Sequence, residues 1–284
     1  MPPRLPDWFP VIEHDPFLKY RPFPATTDNN FVRHWHEVAG SFLIYTAVQM
    51  VSPYVSSWVF GDNYRKLSKK TRLNFDIHVV SMVQCILSVV ALLPTWNHPN
   101  WQNRANDPVT SLLGFNDYYG LVSAITTGYF LWDLMVCLVH FKIFGFGFLF
   151  HAFAALWVFG ASFYPFNAPW IPAFLLFELS TPFVNINWFA TRLPAGAIPE
   201  WVVVVNGLLL LFTFFSVRIV WGFYSVALLA YDMWQMKHLV PWYLPVMNLG
   251  LNLCLDGLNV FWFSKMLAIA YKKLSGSPSK SKQA

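Results

Sequence analysis

Four ionisable side chains, Asp133, Glu178, Arg218 and Asp256, stand in stretches otherwise apolar enough to lie in a membrane. Each costs about 2.5–3.5 kcal/mol to insert near the bilayer centre, so each must face protein or water. Glu178 lies in the richest of these stretches, 174–188, which also carries Ser180, Thr181, Pro182, Asn185 and Asn187. Pro182 has no N–H for the carbonyl of Glu178, and Thr181-Pro182 reads as an N-cap before a first-turn proline, so a kinked or restarted helix is expected. Glu178, Pro182 and Asn185 fall at i, i+4 and i+7, which on a regular helix turns a carboxylate, a freed carbonyl and an amide to one face. Asn248, Asn252, Asp256 and Asn259 also recur at helical spacing and draw a polar stripe on the last apolar segment. A weaker stripe is drawn by His78, Ser81, Gln84 and Ser88.

These residues admit two kinds of chemistry. His151 and Asp133 both fall about 8–10 Å from one membrane boundary at a helical rise near 1.5 Å per residue, so a carboxylate could hold an imidazole in one tautomer as a general base. Alternatively, Asp133, His151, Glu178, Asn185, Asn252 and Asp256 orient the polar part of a bound lipid while apolar walls take its chains. Arg218 is expected to be neutralised by Asp256 or Glu178, since an unpaired guanidinium at that depth is costly. No metal site is expected, because no His-x-x-x-His or carboxylate–His spacing on one helix supports it. No nucleophile elbow, phosphate-binding loop or dinucleotide-binding glycine pattern is present.

Positioning such groups requires a bundle of membrane helices. The chain is 56% hydrophobic and only 12% charged, which excludes an ordinary soluble domain. Its net charge of +5 is not gathered into a basic stripe with interleaved aromatics, so nucleic acid is not an expected partner. Cys85, Cys137 and Cys254 all fall in apolar segments with no close pair, against a disulfide framework. Segments of about 20 residues run over 40–60, 77–94, 120–140, 146–164, 169–189, 201–229 and 244–270, predicting an all-α protein with about seven transmembrane helices. Arg65, Lys66, Lys69, Lys70 and Arg72 mark the first loop as cytosolic, which places the tail 1–37 and the loop 95–116 in the lumen and the Lys-rich C-terminus in the cytosol. Without a cleavable leader, the first span is expected to act as the targeting signal, and 274–284, Ser- and Lys-rich, reads as disordered.

The run Glu178-Leu-Ser-Thr-Pro-Phe-Val-Asn-Ile-Asn-Trp188-Phe189 resembles a signature of TLC-domain membrane proteins. So do Gly128-Tyr-Phe-Leu-Trp-Asp-Leu134, Phe214-Phe-Ser-Val-Arg-Ile219 and Leu258-Asn-Val-Phe-Trp-Phe263, all in the family's order. The resemblance covers 64–273, leaves 38–63 as an extra first helix, and implies that the last six spans form a TLC-like barrel in the endoplasmic reticulum. That family includes ceramide synthases, translocon-associated proteins, a cargo receptor and lipid-homeostasis proteins. It implies three functions: binding or sensing a sphingolipid or phospholipid in lipid homeostasis, acyl transfer of the ceramide-synthase type, or reception of early secretory cargo. Ceramide synthases carry an adjacent His-His pair where this chain reads His151-Ala152, and an acidic segment where it reads Phe177-Glu178-Leu179-Ser180-Thr181. Lipid binding is therefore favoured. The expected partner is a membrane lipid, with no cofactor; acyl-CoA enters only under acyl transfer, where His151 would be the base and Asp133 its orienter. Nothing in the sequence specifies an oligomeric state.

Overall fold

Lipid cannot solvate bare backbone N–H and C=O groups, so apolar stretches of membrane length fold as helices. The computed structural model describes residues 3–22 and 28–275, and every regular element among the described residues is helical. In chain order the principal helices are α1 Asn30–Phe60, α2 Lys69–Trp96, α3 Asp117–Val139, α4 Phe141–Ala161, α5 Thr181–Arg192, α6 Glu200–Gln235 and α7 Tyr243–Leu274. Among the described residues, six helices are long and apolar enough to cross a membrane, α3 counted together with the short helix Pro108–Leu113 before it. Of the tail 274–284 predicted to be disordered, Leu274 closes α7 and residues 276–284 lie outside the described residues.

The fifth predicted span is helical but broken. A 3-10 turn Ala168–Trp170, a short helix Ile171–Leu175, a 3-10 stretch Leu176–Ser180 and α5 follow end to end. At about 1.5 Å per residue the path is long enough for a hydrocarbon core of about 30 Å. It starts beside the 97–116 loop, where the Asn167 N–H donates to the Leu112 carbonyl at 2.7 Å. It ends where Leu193 packs with Tyr64 and Phe75 at the opposite ends of α1 and α2. Counting this broken segment with the six long helices, the described residues pass through the bundle seven times.

Helix α1 starts ten residues before the predicted span, so residues 30–37, expected in the tail, are its first turns. The Asn29 side chain caps it by accepting the Val32 N–H at 3.1 Å, and Ser68 and Asn116 cap α2 and α3 in the same way. Helices α1 and α3 meet closely at Gly128, where a methyl would fall 2.6 Å from the Val38 carbonyl, and Ser41 Oγ donates across to the Ile125 carbonyl at 2.7 Å. The described part of the N-terminal arm, 3–22, packs against the bundle. Leu5 and the Asn97 amide exchange two hydrogen bonds, the Trp96 indole donates to the Pro3 carbonyl, and the Tyr118 N–H donates to the Glu13 carbonyl.

Candidate functional site

Two departures from regular helix meet inside the bundle. Pro182 cannot supply the N–H that the Glu178 carbonyl would take in an α-helix, and the backbone answers with the tighter 3-10 stretch, in which the Thr181 N–H takes that carbonyl instead. The helix restarts at Thr181, as expected, but the Glu178 carbonyl is not freed. Opposite, α6 widens into a π-helical turn over Phe215–Val220. Irregular backbone at membrane depth persists only where protein or an inner cavity covers it, and π turns are frequent at functional sites.

Arg218 lies in the π turn and joins the two irregularities. Its Nε donates to Ser180 Oγ at 2.9 Å, one terminal nitrogen to Thr181 Oγ1 at 3.0 Å and the other to Asn259 Oδ1 at 3.4 Å. Ser180 Oγ in turn donates to the Phe177 carbonyl at 2.9 Å. The ring of Phe214 stands 5.2 Å from the guanidinium carbon. The expected ion pair with Asp256 or Glu178 is not formed: among the described residues no carboxylate lies within ion-pair distance of Arg218. The π turn aims the side chain at the Ser180–Thr181 junction, where neutral oxygens receive it. Asp256 is reached only indirectly, through the Asn259 amide with which it also interacts.

Helix α7 has an inside-out pattern. Between Leu244 and Asn259 its buried positions are Leu244, Asn248, Asn252, Asp256 and Asn259, so the interior face is polar and the apolar side chains point outward. Asn252 Nδ2 donates to the Asn248 carbonyl and side-chain oxygens at 2.9 and 2.8 Å. Asp256 faces α6 at Gly222, and its Oδ2 has no hydrogen-bond partner. A second polar seam joins α2 to α5: Asn185 is bonded through Oδ1 to His78 Nδ1 at 2.8 Å and donates Nδ2 to Ser81 Oγ at 3.2 Å, while the Trp188 ring stacks on His78.

The predicted site residues thus divide. Asn185 and Asn252 are buried with their amides engaged, Asn185 across to α2 and Asn252 within α7 on Asn248. Asp133, His151 and Glu178 keep accessible surface. Glu178 is within electrostatic reach of Asp133, Tyr129 and Arg218, and Arg218 within reach of His151, so the three predicted residues lie in the neighbourhood of Arg218. His151 and Asp133 do not meet as an acid–base pair. The His151 ring packs against Phe130 and Trp262, and the hydrogen-bonding contact of Asp133 is the Cys137 thiol at 3.8 Å, one turn on.

Sequence reasoning missed a second cluster, where the arm crosses the start of α1. His34 Nδ1 is 2.7 Å from Glu37 Oε2 and 3.4 Å from Asp15 Oδ2, all with almost no exposed side-chain surface. Burial works against the Asp15 carboxylate, but contacts with His34 and Glu37 and a 2.7 Å bond from the Phe17 N–H outweigh it and hold this carboxyl below its ordinary range. The signal was His34-x-x-Glu37, one helical turn apart, hidden because both were assigned to the tail. On the same side, Arg104 from the 97–116 loop grips Asp232 of α6 bidentately, at 2.9 and 2.7 Å. Nearby His98 is buried, which pushes its imidazole below the usual range against the opposing pull of Glu13.

Comparison with known proteins places this arrangement. The family model described as TLC domain matches residues 74–268, which include the 3-10 stretch, α5, the π turn and most of α7. The chain belongs to the TLC-domain family. A Saccharomyces cerevisiae relative, Topoisomerase I damage affected protein 4, is 39% identical over 93% of this chain and 94% of its own length. An uncharacterized TLC domain-containing protein of Schizosaccharomyces pombe is 37% identical over 86% and 81%, and TLC domain-containing protein 4-B of Danio rerio is 31% identical over 86% and 92%. No solved structure matches. The chain is thus a multi-pass membrane protein of a TLC-domain family linked to lipid metabolism, and the Arg218 junction with its surrounding carboxylates lies within the matched TLC domain.

Proposed function

We propose that this TLC-domain protein binds or senses a membrane lipid, a sphingolipid or phospholipid, inside its bundle and serves lipid homeostasis in the endoplasmic reticulum. The observation that carries the reading is the interior around Arg218: a buried guanidinium held by neutral oxygens alone, with Glu178, Asp133 and His151 around it and surface to spare. A bundle needing polar groups only to hold its helices together would pair its charges, because an uncompensated charge at that depth is costly. A lipid headgroup supplies the missing partner, and the apolar lining accepts the chains. No observation favours acyl transfer, since His151 lacks the orienting bond to Asp133, and none favours cargo reception.

The test is mass spectrometry of lipids that copurify with the detergent-extracted protein. Glu178→Ala and His151→Ala should each lower the lipid-to-protein ratio while the folded yield holds; unchanged lipid in both reduces the cluster to a structural polar core. Acyl-transfer turnover in the parent that His151→Ala abolishes without loss of bound lipid would instead establish the enzymatic alternative. For orientation we propose a lumenal arm and 97–116 loop with the 61–68 loop cytosolic, on the Lys/Arg bias. A glycosylation sequon engineered near Asn100 should be modified; modification of one placed at 65–72 instead would invert the assignment.

A further inference from the structure

We propose that Asp15, His34 and Glu37 form a binding site for a divalent transition-metal ion of the zinc class, which fastens the N-terminal arm to the first turns of α1. One ligand atom from each residue lies within 4.8 Å of the other two. His34 and Glu37 share a face because they are three apart on α1, and Asp15 is brought over them by the arm. Tetrahedral zinc with ligands at about 2.0–2.1 Å separates neighbouring ligand atoms by roughly 3.3 Å. The observed 3.4 Å between His34 Nδ1 and Asp15 Oδ2 matches that edge, and the 2.7 Å contact to Glu37 needs only a small opening.

Three further observations point to a cation. Asp15 Oδ2 and Glu37 Oε1 are buried oxygens without a hydrogen-bond partner, and the side chain of Asp15 is fully enclosed. Two carboxylates this close, away from water, repel unless positive charge stands between them, and a divalent ion neutralises both. The His34 ring packs directly on Gly120 of α3, where a methyl would fall 2.1 Å from Nε2, and its Nδ1 faces the two carboxylates. His36 offers a fourth donor, its Nε2 being 3.6 Å from Glu37 Oε1 with both ring nitrogens unpartnered. One or two imidazoles with two carboxylates suit zinc and its neighbours, whereas calcium and magnesium demand a larger, all-oxygen shell.

This site is separate from the lipid interior and stands or falls independently of it. The full-length chain, purified in detergent on a tag without histidines, should carry about one zinc-class ion per chain by elemental analysis. After chelator stripping, Zn²⁺ should raise the unfolding temperature of the parent by several degrees in a saturable way, and Co²⁺ should give the visible absorption bands of tetrahedral nitrogen–oxygen ligation. Asp15→Asn and His34→Gln should lose the metal and the thermal response. Because these variants could loosen the arm for other reasons, the Co²⁺ titration of the unaltered parent decides the matter. A metal-free parent with no Zn²⁺ shift and no Co²⁺ bands would overturn the site and leave a shared proton between the carboxylates.

Discussion

The molecule buries two arginines to nearly the same degree, Arg104 and Arg218, and solves them in opposite ways. Arg104, outside the apolar part of the bundle, faces a carboxylate in bidentate geometry and lies over the Trp170 ring. Arg218, within the TLC domain, faces two hydroxyls and an amide oxygen. The first is electrically closed and suits a clasp between loop and helix. The second is contacted by neutral oxygens only, with Glu178 in electrostatic reach but not in ion-pair contact, which leaves it able to engage an anionic group arriving from outside. Buried charge alone does not mark a functional site; the partner's charge tells the clasp from the receptor.

The largest effect should come from breaking the clasp. Asp232→Ala or Arg104→Ala should each cost about 3–5 kcal/mol, because the survivor is left as a buried charge without a partner. The double variant should cost clearly less than the two singles added together, as read from unfolding in detergent. Strict additivity would mean that water enters the site and the clasp is not closed.

Arg218→Met should be milder for stability, about 1–3 kcal/mol, since the hydroxyls left behind are neutral and Ser180 keeps its bond to the Phe177 carbonyl. Its larger consequence should be the loss of copurified lipid, which Arg104→Met should leave unchanged. Equal lipid loss in both variants would erase the distinction. The smallest effect is expected at Gly222, beside Asp256. The added methyl of Gly222→Ala would sit 3.1 Å from Phe177 Cζ and 3.4 Å from Asp256 Oδ1. A helix gains about 1 kcal/mol from such a change, and the crowding offsets part of it. A net change within about 1 kcal/mol is expected, again from unfolding in detergent, and a loss of several kcal/mol would show that Phe177 cannot shift.

What could be read beforehand followed the physics of each signal. Hydropathy marks where chain crosses lipid, so the spans were legible, and the spacing of Asn248, Asn252, Asp256 and Asn259 foretold the inward face of α7 because that segment winds regularly. The same periodicity failed where the helix is not regular. Glu178 and Asn185 were expected to share a face, yet the 3-10 stretch changes the phase between them, and Asn185 is spent on His78 and Ser81. Arg218 was given a carboxylate on the cost of an unpaired charge, and the π turn that aims it at Ser180 and Thr181 instead leaves no mark on a pattern read at 3.6 residues per turn. The start of α1 was missed because Arg33, His34 and Glu37 look too polar for a span. They are buried or paired by Asp117 and Asp15, far away in sequence.

The π turn sets the rotational phase of α6 between its halves. A π turn amounts to one residue more than an α-helix needs, and one residue is about 100° of rotation. Everything downstream of Val220 is therefore turned by about that angle relative to a straight helix, which is how Gly222 comes to face Asp256 and Asp232 comes to face the loop that carries Arg104. Deleting one residue from 215–220 should straighten the helix, swing Asp232 off its arginine and withdraw Arg218 from Ser180 together. The clasp near the end of α6 and the receptor at its middle, chemically unlike, are keyed to the same extra residue.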